Sequence, residues 1–584
     1  MKQLILLLIV VGILPQLLSQ NTSKKVNTKY FRPTITSLFF EPRNANEQVL
    51  LKKFKEIELN TKFDNHKIDF PYLSKVTSND PQKSQKINDY LLNASNPIMA
   101  KWWNRDVDGN FNFLYVSERG LYTSTDADAM ISRSSNTNRI EMLGEQLIDK
   151  SYILLYEISE FYTMEEYYNR IDEQNRKKTN YTPVKRTDEG FIANYNVYAY
   201  KINFGDSVSS NFYSDYWVDK NSYDINKVEK WKSATFPVSY VTSASGNVRS
   251  TQPKDPKSAV YLSKKKKTSN ELIEDMPVTI QTNAIFDLSR KIEDFRLKVT
   301  VFKTYPVKAK LGTKEGLYID QRFYVYEIEQ KKNGDQKTNR MGVVRAKKII
   351  DNKKIATGES KPSEFQQVNG KELYEGMFME SKEDYGLIVG IGVNSASNKS
   401  LGGFFIGADY RISKYMNIPG LHLGIDISIN SMKDVNLGNI ETDKLILSTT
   451  GDVFSGSTSA ISINLSKDYY LSKHGNYYIK PTIGFGYYSY SFTKKDDLDI
   501  SDDSKKDYSW SSLYFPFSMG IGWNIFPSAC LEFRPGIFIR NAAKTGNNET
   551  LIQNSSSITP GWGFDSIDKN GVGVFSVLNL KIRF

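Results

Sequence analysis

The sequence predicts an α+β N-terminal region followed by an eight-stranded antiparallel transmembrane β-barrel. Three observations carry this reading. From Tyr385 onward, apolar residues alternate with small or polar ones in segment after segment. Charged residues stand in mid-segment on the face opposite the apolar one. The connections between segments are short and long by turns. Upstream of Tyr385, helical and strand periodicities mix instead.

The clearest run is Leu513, Phe515, Phe517, Met519, Ile521, Trp523 and Ile525, with Tyr514, Pro516, Ser518, Gly520, Gly522 and Asn524 between them. Period-two alternation marks a strand with two unlike faces. Residues 421–430, 403–412 and 577–584 follow the same rule. Leu387–Val393, Ala460–Leu465, Tyr477–Tyr487 and Leu531–Ile539 follow it less strictly, which completes a set of eight strands.

Alternation alone also fits a water-soluble β-sandwich with a buried apolar face. Charge argues against that. Asp409, Arg411, Asp426, Lys480, Glu532, Arg534 and Lys581 all fall on the less apolar face. Small membrane barrels fill their interiors with such groups and turn the apolar band to lipid. An interior polar network is expected, with Asp409, Asp426 and Glu532 pairing with Arg411, Lys480 and Arg534. Tyr477, Tyr487 and Trp523 lie near strand ends, where interfacial girdles form. Lys414–Pro419, Tyr469–Asn476 and Pro527–Ser528 are short connections, whereas Ser431–Ser457, Lys494–Tyr508 and Ala542–Gly571 are long. Outer-membrane barrels combine short periplasmic turns with long outer loops; the short Ala396–Leu401 departs from that pattern. An even strand count puts both barrel ends on the short-turn side, so the upstream region is expected in the periplasm.

This C-terminal third, with a final strand of Leu578, Leu580, Ile582 and Phe584 that ends in an aromatic residue, resembles the small OmpA/OmpX-like outer-membrane barrel proteins. The resemblance implies an outer-membrane location among outer-membrane lipid. It also implies that those four residues act as an assembly signal for the barrel-insertion machinery. It implies no activity.

Lys2, the apolar run Leu4–Leu14, Pro15 and the small Ser19 read as a secretory signal peptide over residues 1–19. The run is shorter than the roughly 20 apolar residues a spanning helix needs. A periplasmic α+β region is expected over 20–294, a small β-rich module and linker over 295–384, and the barrel over 385–584. In the first of these, Glu47–Leu59, Ser84–Leu92 and Asp126–Asp149 have helical periodicity. Tyr152–Ile158 reads as a buried strand, Thr163 opens a helix with Glu165 and Glu166 in its first turn, and Ile192–Phe204 alternates as a strand. Ser243–Asn270, with the run Lys264–Lys267, shows no apolar period and reads as a long loop or linker. In the module, Arg296–Phe302, Lys308–Leu311, Arg322–Ile328 and Gly342–Lys347 read as strands around a turn at Asn333–Gly334. They suit an SH3-sized barrel, similar to small modules of envelope-assembly proteins.

Composition narrows the chemistry. The single Cys530 rules out an intramolecular disulfide framework. His66, His422 and His474 stand far apart, without metal-ligand spacing. His422 and Cys530 fall on the inner barrel face, where structural roles are expected. Trp102 and Trp103, followed by Asn104, Arg105 and Asp106, could stack a sugar but fit a core better. No nucleophile elbow or phosphate-binding loop is present. Asp497, Asp499 and Ser501 have the start of a calcium-loop spacing, but Asp502 occupies the place of the required glycine, so the loop 494–507 reads as solvated and acidic. The barrel segment carries 18 basic and 17 acidic residues, leaving 59 and 49 of the chain's 77 and 66 upstream. That excess could meet anionic headgroups or a polyanion; a solvated lysine-rich surface is the preferred reading.

No catalytic, cofactor or metal constellation emerges, and no nucleic-acid partner is expected. The function expected is a non-enzymatic outer-membrane protein whose barrel anchors a periplasmic domain that binds or scaffolds an envelope protein or peptidoglycan. The alternatives are an adhesin or ligand-binding protein acting through its long outer loops, and a hydrolase within residues 21–384.

Overall fold

A computed structural model describes residues 32–74, 76, 80–123, 147–178, 181–330, 336–355, 359–396, 402–435, 439–442, 446–448, 453–494, 507–542, 544–545, 551–554 and 571–584. The expected signal peptide, most of the Asp126–Asp149 helix, the Asn333–Gly334 turn and nearly all of the acidic loop lie outside the described residues.

The N-terminal region is built on a five-stranded sheet of order β2-β1-β3-β4-β5. Its strands are β1 (Thr34–Phe39), β2 (Asp64–Asn65), β3 (Ser151–Thr163), β4 (Asp188–Ile202) and β5 (Val238–Pro253). β1 runs parallel to β2 and β3, and β3, β4 and β5 are antiparallel. Helices cover both faces, which is why the β3 sequence reads as an almost unbroken apolar run. Leu154 and Tyr156 pack with α1 (Ala45–Glu56) and α7 (Ser269–Lys291). Ile153 and Leu155 pack with α2 (Lys83–Trp102), α3 (Phe113–Thr123), α5 (Asp206–Asp215) and α6 (Ile225–Trp231). Between β3 and β4, α4 (Met164–Asn175) opens on a reciprocal capping box of Thr163 and Glu166.

Two expectations change here. The helix expected at Ser84–Leu92 runs on to Trp102, past Pro97, because Ala94, Ile98, Met99 and Trp102 continue its buried stripe. Trp103 follows at its end and stacks on Phe212 at 5.1 Å, so both tryptophans are fully buried in the core. The stretch 243–270 is not a linker. It contains most of β5 and the start of α7. β5 is an edge strand whose inward positions are small, Ala244 and Val248, while Ser, Thr, Asn and Arg face water, so no large apolar period exists to be read. α7 opens on a second capping box, Thr268 with Glu271, and buries Leu272, Ile273, Met276, Ile280, Ala284 and Leu288. Lys264–Lys267 lie just before it.

The module uses β6 (Lys298–Thr300), β7 (Lys303–Thr304), β8 (Val307–Ala309), β9 (Arg322–Gln330), β10 (Gln336–Lys348), β11 (Ser363–Gly370) and β12 (Phe378–Ser381) in the order β6-β12-β9-β10-β11-β8-β7. The two ends of this sheet are one continuous segment, 298–304. Val301 N–H donates to Met377 on one side, and Phe302 N–H donates to Lys308 on the other. The sheet therefore closes on itself around Val299, Val325, Val344, Phe365 and Met379. β11 and β12 are additions to the strands expected. Beyond Phe365, β11 carries the polar Gln367, whose side chain donates to the Lys371 carbonyl, and Asn369, which reaches the Asn524 carbonyl at the base of the barrel.

The C-terminal strands are β13 (Leu387–Ala396), β14 (Gly403–Arg411), β15 (Leu421–Val435), β18 (Phe454–Lys467), β20 (Tyr477–Lys494), β21 (Asp507–Phe526), β22 (Ala529–Arg540) and β25 (Gly571–Arg583). Neighbours in sequence pair antiparallel, and β13 pairs β25 to close the ring. Short strands elaborate the rims. β19 (Tyr469–Tyr470) pairs β20 in a short turn, and α8 (Ser413–Met416) fills another. The long connections are not plain loops. β16 (Asn439–Thr442), β17 (Ile446–Ser448) and β24 (Leu551–Asn554) form a separate three-stranded sheet, and β23 (Lys544–Thr545) pairs antiparallel with β21.

β20 shows how the barrel wall is written. From Tyr477 to Tyr487 the apolar Ile479, Ile483 and Phe485 face out, while Tyr478, Lys480 and Thr482 face in. Beyond Tyr487 the pattern reverses: Ser489 and Ser491 face out, and Tyr488, Tyr490 and Phe492 are buried inside. β21 reverses at the same level, with Ser509 and Ser511 outward and Trp510 inward. The outward serines are in register across four strands, Ser431 opposite Ser457, Ser457 opposite Ser491, and Ser491 opposite Ser509. At about 3.3 Å per residue, Tyr477 to Tyr487 spans roughly 33 Å of strand. A tilt of about 40° reduces this to the roughly 25 Å height of an outer-membrane apolar band.

Candidate functional site: the barrel interior and its sealed base

The seven charged residues singled out in the sequence all lie in the interior, and each is less than a tenth exposed except Asp426, whose side chain is 14 % exposed. Lys480 Nζ lies 2.5 Å and Lys581 Nζ 3.2 Å from Asp409 Oδ2. Lys581 also meets Glu532 at 2.7 Å, and the Tyr478 hydroxyl donates to Glu532 at 2.9 Å. Arg534 pairs with Asp426 at 2.6 Å and lies over the Phe405 ring. Three cations thus neutralise three carboxylates. Buried ions are tolerable only when paired in this way.

Arg411 does not join that set as the sequence reading expected. Its Nη1 donates to Asp320 Oδ2 at 2.9 Å, and Asp320 belongs to the module, between the helical turn at residues 313–315 and β9. The same oxygen accepts the Gly420 N–H at 2.9 Å. Asp320 has φ 67°, a left-handed conformation that an Asp adopts more easily than bulkier residues. Its backbone carbonyl accepts from Arg345, which also pairs with Asp384. Burial works to raise the Asp320 carboxyl, but Arg411 and then Arg345 overcome it and hold the group at about 2. Asp384 is likewise held down, against burial, by Arg345 and Arg322. No local motif marks Asp320 in the sequence, which is why pairing by inspection of the barrel strands missed it.

A second set of contacts ties β11 to the short turns. Asn524 Nδ2 donates to Val368 at 2.7 Å and to Gly475 at 2.9 Å, while its Oδ1 accepts from Arg583 at 2.7 Å. Asn369 donates to the Asn524 carbonyl, and Gly370 N–H donates to Asn476 Oδ1 at 3.1 Å. Gly475, at φ 69°, lies so close that a Cβ would stand 2.0 Å from the Gln367 carbonyl oxygen. The module is therefore seated on the short-turn end of the barrel through buried polar contacts.

The opposite half of the interior is aromatic. Tyr490 and Phe492 stack on Trp510 at 5.6 and 5.8 Å, with Phe454, Met432 and Tyr488 around them. A cavity of about 30 Å³ lies between the two halves, lined by Asp426, Arg534, Ser462, Tyr514 and Phe538, large enough for roughly one water.

His422 is fully buried and bonds to Asp468 at 3.1 Å; Cys530 is buried beside the Tyr478 hydroxyl. His66 stacks on Trp102 at 4.8 Å, its Nε2 meets the Ile98 carbonyl, and Arg119 meets its Nδ1, with burial first and Arg119 second holding its pKa well below the usual range. Among the described residues no group of His, Cys, Asp or Glu could hold a metal ion. On β25, Leu578 faces outward, Leu580 and Ile582 are half-buried, and Phe584 follows the strand, donating its N–H to Leu387 and accepting from Tyr385.

A closed eight-stranded barrel with an apolar outer wall and a filled, ion-paired interior has the architecture of the small OmpA/OmpX-like outer-membrane barrels. Comparison with solved structures returns likenesses at low identity, among them three that each cover about a third of this chain. A major outer membrane protein of Thermus thermophilus shares 13% identity over 34% of this chain and 99% of its own, with a TM-score of 0.22. Neisserial surface protein A shares 15% over 35% of this chain and 100% of its own, with a TM-score of 0.21. Ail, the attachment invasion locus protein of Yersinia pestis, shares 10% over 34% and 96%, with a TM-score of 0.18. No protein-family model matches the chain, and no curated protein matches it.

Proposed function

We propose that this chain is a non-enzymatic outer-membrane protein in which the barrel is a sealed anchor and residues 32–384 form a periplasmic body that binds or scaffolds an envelope partner. The observation that carries the reading is the reversal at Tyr487. Below it the wall is apolar outside and charged inside; above it the wall is serine outside and aromatic inside. A water-soluble barrel has no reason to expose an apolar band that stops at one level on neighbouring strands, whereas a bilayer edge imposes that stop.

The sealed base supports the anchoring role. A module whose carboxylate neutralises a buried barrel arginine is held rigidly to the membrane part, which suits a body that must present a surface at a fixed height above peptidoglycan or an envelope protein. Capture from solubilised envelopes tests this, using the full chain and a chain lacking residues 32–384. Partners lost with the truncation fit the scaffold; partners kept by the barrel alone contradict it. A second reading, a surface adhesin, draws support from the three-stranded sheet of β16, β17 and β24. In that case removing 436–452 abolishes binding and removing the periplasmic body does not.

A further inference from the structure

The module carries exposed aromatic residues that its own core does not use. Phe302 is 54%, Tyr305 70% and Tyr374 55% exposed. In a soluble module such rings stand in water at a cost. Their place is informative. Tyr374 and Glu372 follow β11, the strand seated on the barrel's short turns, and Glu372 pairs with Lys473 at 2.5 Å in the turn between β19 and β20. Lys473 is raised above its ordinary value by Glu372 first, and the Tyr374 and Tyr305 phenols lie near enough to act on it as well. The same turn exposes Leu471 (62%) and leads straight from Tyr469, which stands at the lower end of the apolar wall with Tyr477 and Trp523. The patch is therefore continuous, through the turn, with the girdle of the barrel. Its charge is mixed with a basic excess: Lys303 is exposed between Phe302 and Tyr305, and Lys371 and Lys473 are exposed, against Glu372 and Glu375 beside Tyr374; Lys310 lies over the Phe302 ring and donates to the Ser360 carbonyl.

We propose that Phe302, Tyr305 and Tyr374, with Lys303 and Lys310, rest on the phospholipid leaflet beside the barrel, so that the module is a second, peripheral membrane contact. Amphipathic rings prefer the headgroup level, and lysines beside them are drawn to anionic lipid. One buried aromatic seat of this kind is weak alone. Here the barrel already holds the module at the surface, so even weak insertion fixes its rotation about the barrel axis. The proposal rests on membrane insertion of the barrel.

Site-directed spin labels separate the two claims. In full-length protein with Cys530→Ser, single cysteines replace Tyr305, Tyr374, Ile463 on the apolar wall, and Tyr223, an exposed site of the N-terminal sheet region. Each is labelled and reconstituted in vesicles of phosphatidylethanolamine and phosphatidylglycerol. Collision with oxygen is compared with collision with a water-soluble nickel chelate. Labels at 305 and 374 should be shielded from nickel at least threefold relative to 223 and favour oxygen, at a shallower depth than 463, and the shielding should weaken when phosphatidylglycerol is omitted. Labels at 305 and 374 as open to nickel as 223, with 463 in lipid, overturn this inference alone. A label at 463 open to nickel overturns the barrel reading with it. Spin–spin broadening at 305 that unlabelled protein dilutes away assigns the patch to a second copy of the chain and also overturns the lipid contact.

Discussion

Asp320 and Arg411 meet at 2.9 Å although 91 residues separate them, one in the module and the other on the inner wall of the barrel. Both are under a tenth exposed. The barrel interior is thus neutralised in part by a carboxylate that is not on a barrel strand, and the two parts stabilise each other.

Asp320→Asn should therefore destabilise the protein by about 3 kcal/mol, since it removes the nearest counter-charge of a buried guanidinium and leaves it with Asp468 at 4.0 Å. Asp320→Asn combined with Arg411→Gln should recover much of that loss. Urea unfolding of detergent-refolded protein, followed by gel mobility, reads both. An additive double variant would show that the two side chains do not interact.

The pair also sets a pH window. The folded-state Asp320 carboxyl lies at about 2, below the roughly 3.9 of an unfolded Asp. A depressed carboxyl contributes stability that is present above the unfolded value and fades as pH falls through the folded one. The seating of the module should be insensitive to pH from 8 to about 5 and weaken between about 4 and 2. Limited proteolysis near 384 across that range checks it; release already at pH 6 would contradict the assignment.

The barrel should not conduct. Asp409, Lys480, Lys581 and Glu532 fill one half of its interior and Tyr490, Phe492 and Trp510 the other. An eight-stranded barrel leaves little more room than side chains fill. Planar-bilayer recording should show no large, stable conductance, and a steady open channel would rule out the sealed interior.

The closing strand should govern assembly. Leu580→Lys places a charge on the outer wall of β25, which costs about 2–4 kcal/mol near mid-membrane. Deleting Phe584 removes its two backbone bonds to Leu387 and Tyr385. Both variants should lower membrane yield and the fraction of heat-modifiable protein; unchanged yield in both would count against the assembly role.

The eight strands were legible because lipid and a charged interior write opposite residues on alternate positions, as in Leu513–Ile525. Their outer ends were less legible for the same reason. Past Tyr487 the apolar phase moves inward with Tyr488, Tyr490 and Phe492, and a reading tuned to one phase stops there. The Arg411 partner was hidden because sequence pattern reports faces of strands and not which turn of another module reaches them. The α7 helix had a usable mark, Thr268 three residues before Glu271 and then Leu272, Ile273 and Met276, but Pro277 interrupts the pattern and Lys264–Lys267 precede it. The Asn524 and Asn369 contacts look like ordinary polar residues until the two parts are brought together.

The proposed topology puts the module and the N-terminal sheet on the periplasmic side of the barrel. The most direct measurement is antibody labelling of intact and permeabilised cells carrying an epitope either beside Lys264 or within 495–506. The 495–506 epitope should be labelled on intact cells, and the Lys264 epitope only after permeabilisation. Labelling of the Lys264 epitope on intact cells would contradict that topology.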